Sequence, residues 1–208
     1  MKNIEILAEE IKKELSKIAD NEDKIDAINY LRKKIHEESP LKHHPADCVV
    51  WEKSERVEGN DYNPNNVAPP EMKLLIKSIK EDGYTMPIVT FLDKGGVKIV
   101  DGFHRRKAER SCKDISESTL GRLPVTYIRE SQKGTSDRMA STIRHNRARG
   151  THDIKLMSNI VGELVDVGMS DMWILKNIGM DTDELLRLKQ VTGLASLFKN
   201  GEFSKAWK

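Results

Sequence analysis

Residues 101 to 108 read Asp101-Gly102-Phe103-His104-Arg105-Arg106-Lys107-Ala108 and follow directly on the β-branched run Val97-Lys98-Ile99-Val100. A glycine between a strand and a helix lets the backbone turn sharply and approach a ligand closely. The helix that follows presents free N–H groups at its positive end. With His104, Arg105, Arg106 and Lys107 next in line, side-chain donors would join those N–H groups around a phosphate, and Asp101 would position a histidine or a metal-bound water. The same residues also suit an ordinary strand-to-helix turn with its basic side chains in solvent. A second basic cluster, Arg144-His145-Asn146-Arg147-Ala148-Arg149, stands further along the chain.

The charge distribution points to the same region. The 208 residues carry a formal net charge of +2, yet the stretch from 98 to 155 holds fourteen lysines and arginines against seven acids, while the chain on either side is slightly acidic. A basic segment inside a near-neutral chain is suited to phosphate, either of a nucleotide or of a nucleic-acid backbone. Cys48 and Cys112 are too few for a disulfide framework or a thiolate zinc site, and they suit a reducing cytoplasm. His43, His44 and Cys48 lack a second ligand cluster, so no metal is expected there. Cys112 reads as a small buried residue, and Trp51, Trp173 and Trp207 are too far apart for a base-stacking platform. No run approaches the ~20 apolar residues of a membrane span, and the charged N-terminus MKNIEILAEEIKKEL lacks a signal peptide's apolar centre, so neither membrane insertion nor secretion is expected.

The elements that must position these residues form three parts, and the fold class they predict is α+β. In residues 1–45, Ile4, Leu7, Ile11, Leu15 and Ile18, then Ile25, Ile28, Leu31 and Ile35, recur at helical spacing. Two amphipathic helices follow, separated at Asp20-Asn21, which either cap the next domain or mediate dimerisation. In residues 46–134, Val49-Val50-Trp51 reads as a strand. Pro69-Pro70-Glu71 opens a helix carrying Met72, Leu75, Ile76 and Ile79, and Gly83 ends it. Pro87 to Leu92 and Val97 to Val100 are strands about a turn at Asp93-Lys94-Gly95-Gly96, and Pro124 to Ile128 is a further one. Residues 135–208 read as helical, with breaks at Gly150, Gly168, Gly179 and Gly193. One helix carries Ile154, Met157, Ile160, Val161, Leu164 and Val165. Ser170 caps a short second one running to Ile178, and a third carries Leu185, Leu186, Leu188 and Val191. Short helix, glycine turn, helix is the spacing of a helix-turn-helix.

Taken in order, Asn63-Pro64, the helix end Ser78-Ile79-Lys80-Glu81-Asp82-Gly83, Pro87-Ile88-Val89 and Val100-Asp101-Gly102-Phe103-His104-Arg105 resemble the ParB/sulfiredoxin superfamily over roughly 57 to 192. The ParB box GERRxRA is matched at Gly102, Arg105 and Ala108, and the sulfiredoxin box GCHR at Gly102, His104 and Arg105. The resemblance implies a ParB/sulfiredoxin-like nucleotide-binding domain in which Gly102, Phe103, His104, Arg105, Arg106, Asn146 and Arg149 hold nucleotide phosphates. His145-Asn146-Arg147-Ala148-Arg149 resembles the ParB box ENxxR, which implies Asn146 as a magnesium contact. The glutamate of that box is His145 here, which removes a hard oxygen ligand. Phe103 stands where sulfiredoxins have their cysteine, so sulfinic acid reduction by that route is excluded. ParB's QPR triplet survives only as Asn65-Asn66-Val67, which leaves ATP, CTP or another nucleotide open.

The added N-terminal helices and the GFHR box look most like IbrB-type proteins, described as coactivators of prophage gene expression. What the resemblance implies is a cytoplasmic, nucleotide-responsive DNA-binding regulator whose cofactor is a nucleoside triphosphate, ATP or CTP, with magnesium. Its partners would be DNA and either another protein or a second copy of the chain. DNA contacts would fall to Arg144, Arg147, Lys155, Arg187, Lys189 and Gln190, although Asp181, Asp183 and Glu184 stand at the end of the helix that would enter the groove. The alternative is an enzyme on the same fold, a nucleoside triphosphatase or a free serine kinase-like enzyme. In it Asp101 is the candidate catalytic residue, and Glu52, Glu58 and Glu71 lie in the half of the domain that would supply an acid.

Overall fold

Alternation of β-branched runs with amphipathic stretches produces a five-stranded mixed sheet with helices in a computed structural model of the chain. The model describes residues 2–59, 69–93, 96–128, 140 and 154–199, with side chains for all but 93, 154–156 and 194–199. The described residues fall into two compact units, 2–59 with 69–128, and 140 with 154–199. Asn63 to Val67 and the centre of the hairpin, Lys94-Gly95, lie outside the described residues. Among those described, no helix is long and apolar enough to cross a membrane.

The first unit contains α1 (Lys2–Lys17), α2 (Asn21–Glu37), β1 (Val50–Lys53), β2 (Val57–Glu58), α3 (Pro69–Asp82), β3 (Ile88–Asp93), β4 (Gly96–Asp101), α4 (Phe103–Ser111), α5 (Lys113–Ser118) and β5 (Arg122–Tyr127). The sheet order is β1-β5-β3-β4-β2. β1 pairs antiparallel with β5, β5 parallel with β3, β3 antiparallel with β4, and β4 parallel with β2. Val50, Val57, Ile88, Val97, Ile99, Leu123 and Val125 form one apolar cluster, and Ile79, Ala108 and Ile115 from α3, α4 and α5 form another. Tyr84 touches both. The two-residue strand β2 and helix α5 are too short to leave a readable period, and sequence spacing misses them.

Strand β5 starts two residues before Pro124, where the sequence placed its beginning. Pro124 lies opposite Trp51, whose N–H and C=O point away from β5 to the open edge of the sheet. On the other side, pairing with β3 begins only at Val125. A proline between these positions interrupts neither ladder. The outward groups of Trp51 are met by the Asn29 amide of α2, which accepts from the Trp51 N–H at 3.0 Å and donates to its carbonyl at 2.9 Å. A side chain thus occupies the place of a further strand and closes the edge to other chains.

Arg122, at the start of β5, completes the docking of α2. Its guanidinium, 3% exposed, donates to Asp26 at 2.7 Å, to Glu22 at 2.9 Å and to the Trp51 carbonyl at 3.1 Å. Asp20 caps α2 by accepting from the Asp23 N–H, while Asn21, read as part of the break, is already the first helical residue. Of the two roles open to the helical pair, α2 takes the capping one.

The second unit comprises α6 (Ile154–Asp166), α7 (Asp171–Ile174), which continues into a wide turn over Leu175–Gly179, and α8 (Thr182–Lys199). Its core is Ala140, Met157, Ile160, Val161, Leu164, Ile174, Ile178, Met180, Leu185 and Leu188. The apolar residues read along these helices are not all buried. Leu186 and Val191 of the third helix are 56% and 42% exposed, because the buried face of α8 follows Leu185, Leu188 and Thr192. Val165 on α6 is likewise exposed. Gly193 does not break the third helix, which runs through it to Lys199; an interior glycine weakens a helix by about 1 kcal/mol without ending it. At Gly162, helices α6 and α8 approach so closely that a Cβ would lie 2.8 Å from Thr192 Cγ2.

Two outcomes follow from this packing. Asn29→Ala strips the Trp51 N–H of its partner, and urea denaturation should show a loss of about 1–3 kcal/mol, the usual penalty for such an orphaned group. Gly162→Ala overpacks the α6–α8 contact by about 1–3 kcal/mol. Adding Thr192→Ser should recover most of that in thermal melts, since serine lacks the clashing methyl but keeps the hydroxyl bond to the Ser158 carbonyl.

Candidate functional site

The turn after β4 has the backbone that its sequence requires. Gly102 adopts φ 100° and ψ 20°, a left-handed conformation that glycine reaches without strain, and its carbonyl accepts from the N–H groups of Arg105 at 3.0 Å and Arg106 at 3.2 Å. Among the described residues no side chain caps the helix at Gly102, and the first-turn N–H groups of Phe103 and His104 stand ahead of the helical ladder. A Cβ at 102 would also meet the Arg105 guanidinium at 2.8 Å, so the site excludes larger residues twice over.

Arg105, expected at the phosphate, has its guanidinium engaged inside the fold. Nη2 donates to the Pro87 carbonyl at 3.2 Å and pairs with Asp101 Oδ2 at 3.3 Å, with both side chains largely buried. Tyr84 donates its hydroxyl to the Arg105 carbonyl at 2.9 Å. Asp101, read as the group that would position a histidine or a metal-bound water, is therefore paired with Arg105. Phe103 lies against the backbone of Gly59, where a Cβ would be 2.8 Å from its ring, and meets the His104 ring edge-on at 5.8 Å.

The remaining basic residues differ in kind. His104 is half-buried, and burial, reinforced by Lys107 and Arg105, pulls its pKa below the ordinary histidine value; Asp101 and Glu71, at the start of α3, oppose the shift. It is a neutral ring at neutral pH. Arg106 is also partly buried, and its pKa is lowered by burial first and by the neighbouring Arg110 second. Its Nε is buried and makes no hydrogen bond among the described residues. A crowded cation with an orphaned donor, beside a left-handed glycine and uncapped N–H groups, fits an anion such as a phosphate. Lys107 is exposed.

The carboxylates weighed for catalysis are largely committed elsewhere. Glu52 accepts from the Tyr127 hydroxyl at 2.8 Å and from Arg56 at 3.1 Å, and Glu58 pairs with Lys98. Sequence reasoning missed Glu109, which is 3% exposed and accepts from Ser54 at 2.5 Å and Ser116 at 2.9 Å. These bonds tie α4 to the chain after β1 and to α5. No local signal in the sequence marked it, since an acid on a helix ordinarily faces solvent. No group of three or more His, Cys, Asp or Glu among the described residues could hold a metal, and His43, His44 and Cys48 form no such group. Arg144, His145, Asn146, Arg147 and Arg149 lie outside the described residues, as does the side chain of Lys155.

In the second unit Ser170 caps α7 by accepting from the Trp173 N–H at 3.2 Å, and Gly179, with φ 75°, turns the chain toward α8. Asp181 Oδ1 accepts from the Glu184 N–H at 2.8 Å. The acid at the start of α8 is thus its N-cap, which gives Asp181 a structural role there, while its charge and those of Asp183 and Glu184 remain at this end of the helix. Arg187 and Gln190 are exposed, whereas Lys189 is paired back onto Asp171 of α7.

Residues 152–200 match the family described as IbrB-like C-terminal HTH domain, a helix-turn-helix. The chain is 52% identical over 188 residues to the uncharacterized protein YbdM of Escherichia coli (strain K12), covering 89% of this chain and 88% of that protein. Among solved structures it is similar to C-terminally truncated chromosome-partitioning protein ParB from Caulobacter crescentus. In the complex with CTP-gamma-S the TM-score is 0.40 at 17% identity, over 76% of this chain and 87% of that one. In the complex with the centromeric parS site it is 0.45 at 15% identity, over 74% and 79%.

Removing Arg105 takes the guanidinium away from the buried Asp101 carboxylate. Arg105→Ala should therefore lower stability by about 3–5 kcal/mol in chemical denaturation, and the double variant Asp101→Asn, Arg105→Met should regain part of it. His104 should titrate below about 6.5 by NMR. Because its folded pKa is depressed, the stability it contributes is complete above the unfolded value and lost as pH falls through the folded one. Inorganic phosphate bound at this turn would favour the protonated ring, so the midpoint should rise when phosphate is added.

Proposed function

From the premise that this chain belongs to the family of Escherichia coli YbdM and carries an IbrB-like helix-turn-helix, we propose that it is a DNA-binding transcriptional regulator whose activity responds to a nucleotide. The observation that carries this reading is the three-helix unit over 154–199, a helix-turn-helix by family match, with Arg187 and Gln190 exposed on the helix after its turn. Arginine and glutamine are side chains that read guanine and adenine edges in the major groove. Regulation of prophage or mobile-element genes is what likeness to IbrB-type coactivators implies.

Charge decides how such a unit would hold DNA. Residues 154–193 carry six acids against four bases, whereas 129–149 carry six arginines and lysines against two acids. The helix-turn-helix alone is a poor phosphate binder, and the basic segment before it would supply the electrostatic attraction. Lys189 contributes less, being held by Asp171.

The nucleotide would be held at the turn after β4. Phosphate oxygens would accept from the N–H groups of Phe103 and His104, with Arg106 as the charged side chain and Gly102 supplying the left-handed turn. Arg105 and Asp101 position this turn from beneath. The ParB resemblance implies Asn146 and Arg149 as further contacts, to magnesium and to phosphate. Occupancy of one site would then bias the presentation of the other.

Selection from random duplexes, followed by fluorescence anisotropy, tests the DNA reading. Arg187→Ala and Gln190→Ala should relax sequence preference, while Arg144→Ala, Arg147→Ala and Arg149→Ala together should weaken binding to every duplex and reduce the salt slope by roughly 3. Failure to enrich any duplex at low salt would sink the proposal. Calorimetry with ATP, CTP, GTP and UTP, with and without magnesium, tests the nucleotide. Arg106→Ala is the informative control, because its buried Nε makes no hydrogen bond among the described residues.

A further inference from the structure

The first helix is the part of the first unit that its own fold leaves uncovered. α1 has no buried residue, and Ile4, Leu7 and Ile11 are 63%, 52% and 40% exposed along one stripe, while Leu15 and Ile18 are half-covered near the start of α2. A helix of this length is marginal in water without a packed face, so the stripe calls for a cover.

The sequence of α1 specifies what covers it. The stripe positions are symmetric about Ile11: Leu7 and Leu15 stand four residues to either side, and Ile4 and Ile18 seven, Ile18 being the residue just past the helix end, while Ile6, off the stripe, has Ser16 as its counterpart. The charges are antisymmetric about the same point. Residues 2–10 hold Lys2 against Glu5, Glu9 and Glu10, and residues 11–17 hold Lys12, Lys13 and Lys17 against Glu14. One half is acidic and the other basic. A second α1 laid antiparallel sets each acidic half beside a basic one and brings Ile4 to Ile18, Leu7 to Leu15 and Ile11 to itself. A parallel pair sets like charges together. A surface complementary to its own rotated copy is what a two-fold homodimer requires.

We propose that α1 is a homodimerisation helix that pairs antiparallel with α1 of a second copy, with Ile11 at the two-fold axis. α2 is fastened to the sheet by Asn29 and Arg122, so the paired helices have a firm attachment to the unit that carries them. The proposal is independent of the DNA and nucleotide readings.

Sedimentation equilibrium of the full chain over a wide concentration range tests it. The wild type should be a dimer, and Leu7→Glu and Ile11→Glu should each give a monomer with unchanged circular dichroism outside the loss of a single helix; both residues are exposed within one chain, so the fold should survive. Orientation is read from Ile4→Cys and Ile18→Cys proteins, oxidised separately and as a mixture, with the disulfides located by peptide mass spectrometry. A link between positions 4 and 18 in the mixture supports the antiparallel pair. A monomeric wild type, a dimer indifferent to both glutamates, or self-linking of Ile4→Cys in place of the mixed link would overturn the proposal.

Discussion

A buried ion pair four residues apart, Asp101 with Arg105, governs the geometry of the turn on which the proposed chemistry rests. It joins the end of β4 to the first turn of α4, and the same guanidinium holds the Pro87 carbonyl just before β3. Because the arginine folds back beneath the turn, residue 102 can carry no Cβ, and the left-handed glycine follows from the pair as much as from backbone preference. Tyr84 extends the arrangement by donating to the Arg105 carbonyl while its ring packs edge-on against Trp51 at 6.3 Å. A buried pair of this kind contributes little net stability over apolar residues of the same volume, since desolvation offsets much of the attraction. Its effect is positional: it fixes where the first N–H groups of α4 point.

That geometry divides labour among the consecutive basic residues. Arg105 serves the interior, Lys107 faces solvent, His104 is held neutral by burial, and Arg106 stays a partly buried cation beside Arg110. A similar division appears in the helix-turn-helix. Asp181 spends its carboxylate on the start of α8 and Lys189 spends its ammonium on Asp171, while Arg187 and Gln190 on the same helix stay exposed. In both places the side chains nearest the backbone turn are consumed in building it.

The N-terminal helices show how one pattern can have two fates. Both have apolar residues at helical spacing. α2 is brought onto the sheet by polar contacts that its pattern does not advertise, the Asn29 amide at the strand edge and Arg122 reaching to Glu22 and Asp26. α1 has no such contacts and keeps its stripe exposed.

Periodicity and punctuation in the sequence determined the class of the fold, the order of its larger elements, the glycine turn after β4, the Ser170 cap and the helix-turn-helix spacing. These are local matters: a strand, a cap or a left-handed glycine is decided by neighbours within a few residues, and the chain spells it out. The tertiary structure alone decided that Arg105 turns inward to Asp101, that Glu109 is buried between two serines, that Arg122 clamps a helix nearly a hundred residues earlier, and that Leu186 and Val191 face solvent. Each depends on which groups from distant segments arrive within hydrogen-bond reach or apolar contact. A basic residue reads the same in sequence whether a phosphate or a buried carboxylate awaits it, and only the packed chain supplies the partner that decides.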